Sequence, residues 1–130
     1  MKGRARAVII QDRKALLLKR TKKDQPVYYA FPGGGIEPED KGPVAALERE
    51  CMEELGLVVR VGKEIYRHEF KGEPDVFYMC DVVSGTLRSE IGGPEAERSD
   101  IYGEYEILWV DLKDVNALNV QPTAMKAMLK

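Results

Sequence analysis

Long apolar runs, cysteine, histidine and an excess of either charge are all scarce in this 130-residue chain, and each shortage excludes a class of protein. No stretch approaches the roughly 20 apolar residues that span a bilayer. Two cysteines, Cys51 and Cys80, beside a single histidine cannot build a disulfide framework or a zinc site. Twenty Lys and Arg against 22 Asp and Glu leave a formal charge of −2, so no basic excess draws the chain to nucleic acid or anionic lipid. A secreted scaffold, a zinc finger, a membrane protein and a Ser-His-Asp hydrolase are set aside on these grounds. The segment Met1-Lys2-Gly3-Arg4-Ala5-Arg6 lacks the apolar core of a signal peptide, and the expected compartment is the cytoplasm.

What is present is an ordinary globular composition, 44% apolar and 32% charged, without internal repeats or linkers. We therefore expect one domain over residues 1–130. Arg6 to Ile10 and Ala15 to Lys19 form a hairpin pattern about Gln11-Asp12-Arg13-Lys14. Val27 to Phe31 is β-prone and is stopped by Pro32-Gly33-Gly34-Gly35, read as a glycine loop. A helix is predicted over Pro43 to Leu55, with Pro43 near its start, Gly56 just past its end, and Val44, Leu47, Cys51 and Leu55 as its apolar stripe. Strands follow at Leu57 to Val61, Glu64 to Phe70 and Asp75 to Val83. An acidic loop opens at Gly92-Gly93-Pro94 and runs to about Gly103. A last strand is expected at Glu106 to Val110 and a helix at Pro122 to Lys130. Strands on both sides of one helix imply a mixed sheet with helices on its faces, an α/β fold.

The chemistry is concentrated between Gly33 and Leu57. Glu50, Glu53 and Glu54 stand at i, i+3 and i+4, within about 100° of one another on one helix face. Glu53 and Glu54 lie near the C-terminal end, where the helix dipole disfavours negative charge. Arg49 is expected to pair with one of them at most, so the group lacks counter-charge. Hard divalent cations with all-oxygen ligands, Mg²⁺, Mn²⁺ or Ca²⁺, would supply it; a solvated acidic helix face is the alternative. The glycines before the helix allow close backbone approach to a ligand.

These residues resemble the signature of the Nudix hydrolases: Gly, five residues, Glu, seven residues, then Arg-Glu-apolar-any-Glu-Glu-any-Gly-apolar. Arg49, Glu50, Cys51, Glu53, Glu54, Gly56 and Leu57 match every fixed position of its second half. The first half departs. Counted from Gly34, the first acidic position is Asp40 with one residue inserted before Arg49; counted from Gly35, it is Lys41. The first alignment also places Ile36, Glu37 and Pro43 well, so the box runs from Gly34 to Leu57. Asp40 is then expected to serve backbone N–H groups at the start of the helix. A strand ending in aromatic-Pro-Gly-Gly, and Trp109-Val110-Asp111-Leu112 near the end of the chain, are similar to the family as well.

The resemblance implies an α/β/α sandwich around a mixed sheet and Mg²⁺-dependent hydrolysis of a diphosphate linkage in a nucleoside diphosphate derivative, such as an ordinary or modified (d)NTP, with Mn²⁺ as a substitute metal. It implies metal ligands at Glu50, Glu53, Glu54 and the Gly33 carbonyl, with Glu104 as the candidate extra loop ligand ahead of Glu95, Glu97, Asp100 and Glu106. Glu53 and Glu54 would carry the catalysis, Glu53 as ligand or general base, and Arg49 would orient the carboxylates. Gly34 and Gly35 would meet the substrate. Tyr28, Tyr29 and Phe31 would stack on a base, or else belong to the core. His68 reads as a hydrogen-bonded or exposed strand residue, with substrate contact as the alternative. Lys19, Arg20, Lys22 and Lys23 either attract phosphate or simply solubilise a hairpin. The implied partner is a small nucleotide, with no membrane and no nucleic acid, and the chain is monomeric or homodimeric. A nucleotide-sensing module without turnover is the competing function.

Overall fold

The computed structural model describes residues 3–89 and 104–129. The loop expected after Gly92, with Glu95, Glu97 and Asp100, lies outside the described residues.

Two strands, β1 (Arg4–Gln11) and β2 (Lys14–Thr21), open the fold as a hairpin. Asp12 and Arg13 at its tip take left-handed φ values of 50° and 63°, the twist a two-residue hairpin turn requires. The strands pair only at Ile10–Ala15 and Gln11–Lys14 and then diverge. β1 runs parallel to β6 (Glu73–Gly85), from Arg4–Asp75 to Ile9–Cys80. β2 instead takes β3 (Tyr28–Ala30) on one side and β7 (Glu104–Asp111) on the other. The result is a seven-stranded mixed sheet with two leaves joined at one hairpin.

The three glycines form a short strand, β4 (Gly33–Gly35), antiparallel to β1, and not the loop expected from sequence. Without side chains they lie flat against β1: a Cβ on Gly33, whose φ is 132°, would strike the carbonyl oxygen of Ala5. The two strands expected between Leu57 and Phe70 are one, β5 (Leu57–Phe70), with irregular pairing between Val61 and Tyr66 absorbing the break.

Helix α1 spans Pro43–Leu55, as expected, and Gly56 ends it at φ 76°, its N–H reaching the carbonyls of Cys51 and Met52. Leu47, Cys51 and Leu55 are buried in one cluster with Ala5, Ala7, Ile9, Val59 and Cys80 of the sheet, and Ala46 is buried as well. Leu47 and Leu55 contribute about 1.5–3 kcal/mol each by burial. Val44, placed on the stripe from its spacing, is exposed in the first turn. The alternate side chains of β1 point to the opposite face. There Val8 joins Phe31, Phe77, Val115, Val120, Met125 and Leu129 in a second cluster. A 3₁₀ turn at Leu112–Ala117, begun by Asp111 accepting from the Lys113 N–H, closes that side. The late helix is only α2, Met125–Met128. Among the described residues, no helix is long and apolar enough to cross a membrane.

Candidate active site

Where the leaves separate they leave a cleft of about 760 Å³, floored by Gly33 to Gly35 and Glu54. Five cationic side chains line it, Arg4, Arg6, Arg20, Lys22 and Lys71, against the carboxylates Glu54 and Asp75. A chain of net charge −2 thus presents a positive cleft, suited to a polyanion.

Glu50 and Glu54 sit one turn apart on the buried face of α1, 8% and 2% exposed. Glu54 Oε1 accepts the Gly33 N–H at 2.7 Å. The carboxyl of Glu50 lies where a Cβ on Gly34 would be 2.9 Å away, so the bare glycine makes its space. Burying acids is costly, and the helix commits to it because positions i and i+4 share the face that α1 turns to β4.

Arg49 reaches four carboxylates, and not one at most. Its Nε and Nη2 bind Asp40 at 3.0 and 2.9 Å, and its Nη1 binds Glu50 at 3.1 Å and Glu53 at 3.2 Å and lies 3.5 Å from Glu37. Nη2 also donates to the Gly35 carbonyl at 3.3 Å. The five-donor fork of arginine makes this reach feasible. Asp40 is drawn into the same group, and its carboxyl is held below the usual range, chiefly by Arg49 and then by the Glu37 N–H. It does not cap α1 as expected: the N-cap is Gly42, with no side-chain cap. Asp40 Oδ2 instead accepts the Glu37 N–H at 2.8 Å.

The expected metal triplet is therefore only partly assembled. Glu53 pairs with Arg49 and its side chain is 38% exposed, and among the described residues no three His, Cys, Asp or Glu side chains converge to hold a metal. Glu50 and Glu54, buried oxygen donors beside a strand with no side chains, fit a hard divalent cation in the chemistry of the donor set. The Gly33 carbonyl faces Arg6, whose Nη1 donates to it at 3.4 Å. Glu104 begins β7, exposed and paired with Thr21, and is not in the cleft wall; its neighbour Tyr105 is.

Gly34 and Gly35 line the cleft as expected. Phe31 reaches its wall but is 2% exposed and packs edge-on to Phe77 at 5.4 Å, a core contact. Tyr29 packs on the second cluster, outside the cleft. Tyr28 lines the cleft, and its hydroxyl accepts from Arg20 Nη1 at 2.8 Å, while the Arg20 guanidinium stacks 4.0 Å over Tyr105. Sequence reasoning passed over Arg4, Arg6, Asp75 and Tyr105. A charged residue at the inward register of an apolar strand, as Asp75 is in Asp75-Val76-Phe77, was the one local signal available. Cys51 behaves as a small hydrophobe, its thiol pushed up by burial.

A family model described as the NUDIX domain matches residues 1–129. The CTP pyrophosphohydrolase of Escherichia coli (strain K12) is 41% identical over 64 residues, an alignment covering 48% of this chain and 47% of that protein; the chain thus spans about half the length of the curated relative it matches. Among solved structures, the E. coli ORF135 protein is similar over 99% of this chain and 86% of that one, at 25% identity and a TM-score of 0.67. A hydrolase of the NUDIX family from Clostridium perfringens shares the fold, with 97% and 93% covered, 21% identity and a TM-score of 0.69.

Proposed function

The chain belongs to the NUDIX domain family, and from that premise we propose that it is a pyrophosphohydrolase that cleaves a diphosphate linkage in a nucleoside triphosphate with the aid of Mg²⁺, for which Mn²⁺ can substitute. The observation that carries this reading is the placing of two buried carboxylates, Glu50 and Glu54, against a glycine strand at the floor of a cationic cleft. The similar E. coli protein named for CTP supports a triphosphate.

Glu50 and Glu54 would hold the cation; the Gly33 carbonyl, which accepts from Arg6, is not counted among its ligands. When bound, the cation neutralises phosphate charge and activates water. Arg20 and Lys22 on one wall draw the phosphates in and hold them over the floor. Arg49 positions Glu50 and Glu53 by charge-assisted hydrogen bonds and does not itself line the cleft. In this reading Glu53, its Oε2 held by Arg49, is the base that takes the proton of the attacking water, although it is not among the residues that line the cleft. The water oxygen adds to one phosphorus, the P–O–P bridge breaks, and the bridging oxygen leaves on the other phosphate.

The test is release of phosphate or pyrophosphate from a panel of nucleoside triphosphates, with Mg²⁺ and with chelator. Mg²⁺-dependent release is expected. Binding of the nucleotides without release from any of them would favour the sensing module instead. Mg²⁺ well above its Kd should also raise the stability of the protein by about 1–3 kcal/mol, and melting curves unchanged by the ion would contradict a metal at Glu50 and Glu54.

A further inference from the structure

One wall of the cleft carries a network that the hydrolytic chemistry leaves unused. Asp75 is 5% exposed and sits beside Arg4 of β1 and His68 of β5. Both its oxygens are engaged: Oδ1 accepts from Arg6 Nε at 3.3 Å, and Oδ2 from His68 Nε2 at 2.9 Å. A carboxylate paired with Arg6 can only accept, so His68 must place a proton on Nε2. A neutral ring then presents Nδ1 as a pure acceptor. The ring is braced by Tyr66 at 5.5 Å and Phe77 at 5.8 Å, lines the cleft, and has a side chain 25% exposed. Phe70, 39% exposed on the same wall with the Arg4 guanidinium 5.1 Å from its centroid, offers an apolar face beside it.

We propose that His68 is the specificity-determining residue of the cleft, its Nδ1 accepting a hydrogen bond from the exocyclic amino group of a cytosine- or adenine-type base. A uracil- or guanine-type base puts a carbonyl oxygen at that edge, and two acceptors then face each other without a proton between them. Asp75 is a positioning residue that sets the tautomer, and Arg6 is what orients Asp75. This deepens the hydrolase reading and rests on it.

The experiment compares kcat/KM for CTP against UTP and for ATP against GTP. The wild type should favour the amino base by about tenfold in each pair. His68→Phe keeps the ring packing and removes the acceptor, and should lower both ratios about fivefold or more. In Asp75→Asn, Arg6 Nε still needs an acceptor at Oδ1, which turns the amide NH₂ towards His68 Nε2 and moves the ring proton to Nδ1. Both ratios should then fall below those of the wild type, towards the carbonyl bases. If Asp75→Asn does not fold, His68→Phe decides alone. A wild type indifferent to the base, or ratios unchanged in His68→Phe, would overturn the proposal. If the wild type hydrolyses nothing, the hydrolase reading fails, and thermal shifts with CTP and UTP still decide the base: a preference for CTP that His68→Phe removes supports the role of His68, and equal shifts overturn it.

Discussion

Glu54 Oε1 accepts the backbone N–H of Gly33 at 2.7 Å, across 21 residues of sequence. One contact thus ties the carboxylate helix to the glycine strand and sets the floor of the cleft. Glu54→Gln keeps an oxygen for that hydrogen bond, removes the charge and turns the second oxygen into an NH₂ donor. Turnover of the true substrate should fall about 10²-fold or more, with stability changed by less than about 1 kcal/mol. Steady-state kinetics and a urea melt on the same preparation check this, and wild-type turnover would refute the role of Glu54.

Two neighbouring glycines should respond differently to a methyl group. In Gly34→Ala the new Cβ would come within 2.9 Å of the Glu50 carboxyl, the movable end of a side chain. The fold should tolerate it while the Mg²⁺-dependent shift in melting temperature shrinks. In Gly33→Ala the Cβ meets the backbone of Ala5 and the residue must hold φ at 132°, which should cost on the order of 1–3 kcal/mol or more. Thermal melts of both variants with and without Mg²⁺ separate the two effects.

Asp40 should report on acid stability. Arg49 and the Glu37 N–H lower its pKa in the folded state from 3.8. A carboxyl depressed by folding adds stability that is present above its unfolded pKa and is lost as pH falls through the folded one. The melting temperature of the wild type should therefore exceed that of Asp40→Asn near neutral pH, and the gap should close below 3.8. A gap independent of pH would refute the ion pair as its source.

The two thiols should be inert. Cys51 and Cys80 are buried in one cluster, and burial pushes both thiols up, Cys80 to about 12. Thiolate, the reactive form, is then negligible near neutral pH. Iodoacetamide should leave the native protein unlabelled and modify both cysteines in denaturant, as mass spectrometry will show.

Much of this protein is local, and the local part was legible in the amino-acid sequence. Helix α1 from Pro43 to Leu55 with Gly56 as its stop, the hairpin about Asp12 and Arg13, and the shared face of Glu50 and Glu54 follow from helix period, turn chemistry and capping, which depend on residues a few positions apart. The resemblance to the NUDIX family was likewise legible, chiefly in the stretch Gly34 to Leu57, and the family match extends over residues 1–129. What the tertiary structure decided depends on distant segments meeting. Gly33 to Gly35 became a strand because β1 lay beside them to accept the pairing. Asp40 was taken from the helix terminus by Arg49, nine residues away, because a guanidinium fork outcompetes backbone N–H groups for a carboxylate. Val44 is exposed in the first turn of α1 although its spacing matches that of Leu47 and Cys51, so the period alone did not settle its burial. Arg6, Asp75 and His68 came together only through the pairing of β1, β6 and β5, a contact spanning 69 residues that no local pattern encodes.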